Sequence, residues 1–181
     1  LIERRQGSGN YIAEPKIERA TTRLTPFTLG MKSSGLTPGA QKVLLEKRPA
    51  KISTASRLQV PVSSDMYYCH RIRSVNKQPI MVEKFYLPVS YFPDFDKLKL
   101  DDCSIFETLH RNYDITIQRA EQSIEAVAAS EYEAELLNIA TGTPLLLERR
   151  VSFDQNGRAV EYAKDLYRGD RFKFMMETAI D

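Results

Sequence analysis

"MYYCHRIRSVNKQPIMVEKFYLP", residues 66–88, decides the fold. Two runs within it, "MYYCHRIRSV" (66–75) and "PIMVEKFYLP" (79–88), are rich in aromatic and β-branched residues, and "NKQ" separates them. Such side chains pack well on a pleated surface, and so short a spacer joins neighbouring antiparallel strands. The stretch therefore reads as a hairpin. Arg71 and Arg73 stand two apart and share one face. If all three spacer residues form the loop, Arg71 lies opposite Glu83 and Arg73 opposite Met81. A two-residue loop puts Glu83 on the other face. Two guanidiniums on one face repel unless carboxylates or an anion lie between them, and the planar fork of arginine suits carboxylate and phosphate alike. Two readings stand open here: an exposed salt bridge on a solvated sheet face, or an anion site.

Downstream, "PLLLERRVSFD" (144–154), "QNG" and "RAVEYAKDLYRGDRF" (158–172) form a second hairpin, whose Asn156-Gly157 turn is the strongest short-range signal of its kind in the chain. Alternation puts Glu161, Ala163, Asp165 and Tyr167 on one face. Two acids and a phenol around a small alanine suit a hydroxyl-bearing ligand, or simply a polar sheet face. Residues 102–112 read as a helix with an acidic cap. Ser104 stands near its N-terminus, where free N–H groups and the helix dipole favour an anion, or where a hydroxyl simply caps. Other short helices are expected at 26–34, opened by Pro26 and closed by Gly35, at 53–59, and at 130–139, where Ser130 and Glu133 have capping-box spacing. "LTPGAQ" (36–41) reads as a turn and "KVLLEKRPA" (42–50) as a strand. Residues 114–129 begin with β-prone alternation and then become ambiguous. Phe27, Phe85, Phe92, Phe95 and Phe106 read as core. Strands joined mainly as hairpins with short helices over them give an α+β fold around an antiparallel sheet.

Upstream, "ERRQGSGNYIA" (3–13) reads as two short strands around a glycine turn. No helix follows the glycines, which excludes a strand–loop–helix phosphate site there. Residues 14–25 are polar, carry Pro15 and lack periodicity, as a linker does. The chain begins at Leu1, inside a strand, so a further N-terminal portion is expected before it.

The 181 residues allow one domain with a sizeable core plus a fragment. With 42% hydrophobic and 28% charged residues the composition is that of a globular protein. A net charge of +2 is too even for a domain whose whole surface grips nucleic acid. The two cysteines, Cys69 and Cys103, form no CxxC pair and read as small buried hydrophobes. With no signal peptide and no long apolar run, the expected setting is cytoplasmic, without a membrane partner. His70 and His110 lack metal-ligand spacing, and no nucleophile–base set stands out, so neither a metal, a cofactor nor an enzyme activity is expected.

Taken in order, these segments are familiar. "RRQGSGNYIA" resembles the tip and return strand of the wing in a winged helix-turn-helix of the GntR type. "FTLGMKSSGLTPGAQKVL", "RIRSVNKQPIMVEKFYLP", "SIFETL" and "GTPLLLERRVSFDQNGRAVEYAKDLYRGDRFKF" resemble the effector-binding UTRA domain of the HutC branch, whose fold is similar to chorismate lyase. The resemblance spans about residues 27–174. It implies a wing remnant at 1–13, a linker at 14–25 and an effector-binding domain at 26–181. It further implies a DNA-binding transcriptional repressor, a homodimer controlled allosterically by a small molecule, with Arg4 and Arg5 touching the backbone of operator DNA. In sugar-phosphate-sensing members, the phosphate is held by residues that match Arg71, Arg73, Thr28 and Ser104, and the sugar by residues that match Glu83, Glu161 and Tyr167. The implied effector is a hexosamine 6-phosphate, glucosamine or N-acetylglucosamine 6-phosphate. A carboxylate, an alkylphosphonate or trehalose 6-phosphate are alternatives, as is a chorismate-lyase-like enzyme acting on a carboxylated metabolite. The chain has "SIF" where the family has "SLY", so Phe106 lacks a phenol, and "NKQP" replaces a more usual Asp-Gly turn. The "LLLERRVSF" strand is a candidate source of dimer surface.

Overall fold

The structure, a computed structural model, describes residues 2–5, 9–12, 15–21 and 24–179, the first two stretches as backbone only. Strands β1 (Ile2–Arg5) and β2 (Gly9–Ile12) pair antiparallel, with Ile2 opposite Ile12 and Arg5 opposite Gly9. The expectation for Arg4 and Arg5 rests on their side chains, which fall outside the described residues.

The body is a six-stranded antiparallel sheet in the order β4 (Pro38–Pro49), β5 (Asp65–Val75), β6 (Gln78–Pro88), β9 (Ala159–Arg168), β8 (Pro144–Phe153) and β7 (Arg119–Ala128). Helices cover both faces. On one face Cys69, Phe85 and Ala163 pack under Phe92, Phe95 and the buried side of α3 (Ile105–Tyr113), through Ile105 and Leu109. At the edge of that face, α1 (Phe27–Ser33) sets Phe27 and Met31 against Ile80, Met81 and Tyr167. On the opposite face α2 (Ile52–Leu58) buries Ala55 and Leu58 against Met66, Val151 and Tyr162, while α4 (Glu131–Leu137) buries Ala134 and Leu137 against Val82, Leu145 and Leu166. Residues of opposite parity along each strand thus serve the two faces. The Ser130–Glu133 capping box is present at the start of α4.

The first hairpin resolves its two loop readings by combining them. Asn76 and Lys77 both have positive φ, 49° and 68°, so the turn is a two-residue one of the primed kind, closed by Val75 opposite Gln78. The register then shifts between Arg73 and Ser74, where Ile80 is an extra residue on β6. This bulge restores the pairing of Arg71 with Glu83 and of Arg73 with Met81. Glu83 therefore shares the face of the two arginines.

Three local expectations change. The "LTPGAQ" stretch is strand from Pro38 onward, because Asp102 Oδ1 accepts from the Ala40 amide (3.0 Å) and Asp101 Oδ1 from the Lys42 amide (2.9 Å). The same two acids do not cap α3: the helix starts at Ile105 and its cap is Ser104, whose hydroxyl accepts from the Glu107 amide at 3.4 Å. Segment 14–25 contains a strand, β3 (Ile17–Ala20), paired parallel with β10 (Phe172–Met175). Its partner comes from the far end of the chain, which local periodicity cannot reveal. Strand β8, which carries "LLLERRVSF", lies inside the sheet between β9 and β7, with Leu145 buried under α4.

Candidate functional site

Cross-strand rows build the site on the face under α1 and α3. One row runs Arg71, Glu83, Asp165, Glu148 across β5, β6, β9 and β8; the next runs Arg73, Met81, Tyr167, Leu146; on the other side stand Cys69, Phe85, Ala163 and Arg150. Three carboxylates lie side by side in the first row. Like charges directly opposite one another are destabilising, so this row stands only because guanidiniums flank it.

Arg150 faces Ala163, whose methyl leaves room for the long side chain. Its guanidinium bridges the two acids that flank Ala163 on β9: Nη2 is 3.1 Å from Glu161 Oε1 and Nη1 is 3.0 Å from Asp165 Oδ2, with Glu148 Oε2 at 3.4 Å. Ser152 donates to Glu161 at 2.5 Å. Burial alone would lower the basicity of Arg150, but Glu161, Asp165 and Glu148 together raise it well above the usual value. Asp165 receives the opposite treatment. Burial pushes its carboxyl up to about 8, against the pull of Arg150, and the neighbouring Glu83, Glu148 and Glu161 add to the rise.

At the other end Arg71 is fully buried. Its Nε donates to Glu83 Oε2 (2.6 Å), and Nη1 to the carbonyls of Leu100 (2.9 Å) and Cys103 (3.1 Å). Arg73 donates through Nη2 to the Thr28 hydroxyl (2.8 Å) and through Nε to the Gly39 carbonyl (3.2 Å), and lies 3.7 Å from Glu83. Burial would raise the Glu83 carboxyl, yet Arg71 and Arg73 hold it below the usual range. Tyr167, also fully buried, donates to Glu148 Oε2 (2.9 Å) and accepts from Arg19 of β3 (2.7 Å).

These groups surround a small cleft, open on one side to solvent, with a cavity volume of about 30 Å³. Thr28, Arg73, Glu83, Ser104, Glu161 and Tyr167 line it, as do Arg19, Phe106, Arg150 and Asp165. Arg71 does not. It sits behind Glu83 and tethers the loop before α3 through two carbonyls, so it fixes the lining rather than belonging to it. Phe106, expected in the core, is half-buried and lines the cavity beneath Arg150. Ser104, Ile105 and Phe106, from the start of α3, line the same cavity as Arg73 and Thr28, and a helix start carries N–H groups without an intrahelical partner.

Arg150, Glu148 and Arg19 escape a reading of the sequence. Register counted back from the Asn156-Gly157 turn places Glu148, Arg150 and Ser152 on the face of Glu161 and Asp165, a signal present in the chain for two of the three. Nothing in the sequence marks Arg19, which depends on the β3–β10 pairing.

The cavity holds fixed charges of both signs. The two histidines and two cysteines offer no nucleophile–base pair within it: His70 lies against Tyr132 of α4, on the other face, and burial raises the Cys69 thiol to about 12. Among the described residues no group of His, Cys, Asp and Glu is arranged to hold a metal, and no helix is long and apolar enough to cross a membrane. A concave lining with a few convergent polar groups is the usual build of a small-molecule site. The chain belongs to the UTRA domain family, whose model matches residues 33–173, and is the effector domain of a GntR-type transcriptional repressor. It is 35% identical to the HTH-type transcriptional repressor NagR of Bacillus subtilis over 175 residues, 97% of this chain and 72% of that protein. A probable fructoselysine utilization operon transcriptional repressor of Escherichia coli is 25% identical over 98% of this chain and 72% of its own length. The crystal structure of PhnF from Mycobacterium smegmatis superposes with a TM-score of 0.87 at 28% identity, covering 99% of this chain and 79% of that one.

Proposed function

We propose that the cavity is an effector site for a small phosphorylated sugar, with a hexosamine 6-phosphate as the best-fitting class, and that the domain has no enzyme activity. The observation that carries this reading is that Arg73, the Thr28 and Ser104 hydroxyls and the start of α3 line the same cavity as Glu161 and Tyr167, with Arg73 bonded to Thr28 and close to Glu83. Arginine and free helix amides suit a phosphate. Carboxylates and a phenol accept from sugar hydroxyls. Arg71 serves indirectly, by holding Glu83 and the loop before α3. Similarity to the repressor NagR supports the regulator class.

On this reading residues 1–13 are the wing end of a DNA-binding head, with Arg4 and Arg5 on the operator backbone, and the protein works as a cytoplasmic homodimer. Arg19 couples the parts. It belongs to β3, between the hairpin and α1, and its guanidinium donates to Tyr167 at the cavity wall. A ligand that displaces that contact shifts β3, and an effector moves an equilibrium only by its differential affinity for the two states. The test is a thermal-shift screen of sugar phosphates, each beside its dephosphorylated parent. Stabilisation by the phosphorylated member of a pair alone supports the reading; equal response within every pair removes it.

A further inference from the structure

The two ends of the cavity differ in their balance of acids and guanidiniums. Glu83 faces two guanidiniums, Arg71 and Arg73, so that end is positive on balance. Arg150 is shared by three acids, Glu148, Glu161 and Asp165, so the other end holds more carboxyl groups than its guanidinium can engage fully. One atom there is unsatisfied. Asp165 is 1% exposed and lines the cavity; its Oδ2 is engaged by Arg150, while its Oδ1 has no hydrogen-bond partner among the described residues. A buried carboxyl oxygen left without a partner is costly, so its place in the cavity wall calls for a partner from outside the protein.

We propose that the Asp165 side of the cavity binds a protonated amino group of the effector, with Asp165 Oδ1 as its acceptor, so that the site selects an amino-sugar phosphate bearing a free ammonium over its N-acetylated and hydroxyl counterparts. This rests on the cavity being the sugar-phosphate site and narrows the ligand within it. The groups facing Asp165 are Glu83 on β6, Arg73 on β5, Glu148 and Arg150 on β8, Glu161 and Tyr167 on its own strand, and Arg19 on β3. With its carboxyl raised to about 8, Asp165 holds a proton in the ligand-free protein at pH 6.5. That proton belongs on Oδ1, since Oδ2 accepts from Arg150. An ammonium at Oδ1 favours the carboxylate, so the proton leaves to buffer as the ligand enters. The arriving positive charge replaces the departing one.

The test is calorimetric titration of the chain at pH 6.5 with glucosamine 6-phosphate, N-acetylglucosamine 6-phosphate and glucose 6-phosphate, in two buffers of different ionisation enthalpy. Glucosamine 6-phosphate is expected to bind about tenfold or more tightly than the other two, the range of one charge-assisted hydrogen bond. It is also expected to release more protons than glucose 6-phosphate, whose phosphate contribution is the same. Asp165→Asn should bring the three affinities to within about threefold of one another. Equal affinity of the wild-type chain for glucosamine and glucose 6-phosphates overturns the ammonium site and leaves the phosphate site standing. Absence of binding by all three overturns both. A preference that survives in Asp165→Asn, or equal proton release by the two sugars, also overturns it, the orphan oxygen then being served by water alone. The wild-type comparisons decide the matter even if the variant does not fold.

Discussion

At the scale of single residues, Arg150 is the side chain on which the site depends. Removing it leaves three buried carboxylates without their shared counterion, and Arg150→Ala is expected to destabilise the domain by about 3–5 kcal/mol in urea unfolding. Arg149, its neighbour on the other face, is paired with Glu125 and partly exposed, and Arg149→Ala should cost no more than about 1 kcal/mol. A loss of equal size at both positions contradicts the description of the cluster. Asp165 adds a pH dependence of definite sign. Its carboxyl titrates near 4 in an unfolded chain and near 8 here. Between those values the folded protein holds a proton that the unfolded chain has released. The contribution to stability is therefore full at low pH and is lost as pH rises through about 8. Ligand-free stability measured at pH 6 and pH 8.5 should fall more steeply for the wild type than for Asp165→Asn; parallel slopes would show that Asp165 is ionised throughout. Alternation alone puts Arg73 with Arg71 on one strand face and Glu161 with Tyr167 on another, because side-chain period on a strand is fixed, whereas Glu83 joins the arginines only through the bulge at Ile80. It cannot tell Arg71 from Arg73. Both point the same way, and only the loop carbonyls of Leu100 and Cys103 draw one of them behind the wall.

At the scale of elements, the β5–β6 turn shows how local chemistry and register combine. Asn76 and Lys77 are in the left-handed region, which asparagine tolerates and lysine does not favour. Lys77→Gly should raise stability by up to about 1 kcal/mol, with the Arg71–Glu83 pairing unchanged, as urea unfolding will report. A destabilised variant would contradict the turn geometry. The strands and both hairpins were readable because aromatic and β-branched runs with polar spacers have few alternatives. The bulge at Ile80 was not, since an extra residue in a ladder leaves no compositional mark. The start of α3 was misplaced by three residues for a related reason: Asp101 and Asp102 are good caps in isolation, but the β4 amides of Ala40 and Lys42 take their carboxylates. Strand β3 is the larger omission. Its sequence is polar, and the cluster on which Ile17 packs includes Phe172 and Phe174 from the other end of the chain.

At the scale of the molecule, one cavity is walled by β5, β6, β8 and β9, by the starts of α1 and α3, and by Arg19 of β3. Occupancy should therefore be felt in β3. Backbone amides of Ile17–Ala20 are expected to exchange hydrogen more slowly, or distinctly faster if Arg19 is displaced, when a phosphorylated sugar binds; unchanged exchange there, with protection at the start of α3, would sever the proposed link to the DNA-binding side. Dimerisation remains a separate expectation, read by sedimentation, with a concentration-independent monomer as the contrary result. The central claim is that Arg73 and the α3 N-terminus hold a phosphate. Its most direct test is a titration of the wild type and Arg73→Ala with glucosamine 6-phosphate and with glucosamine. The account predicts that the wild type binds the phosphorylated sugar far better than the free one, and that Arg73→Ala weakens the phosphorylated ligand by about tenfold to a hundredfold. Equal affinity of the two proteins for glucosamine 6-phosphate would contradict it.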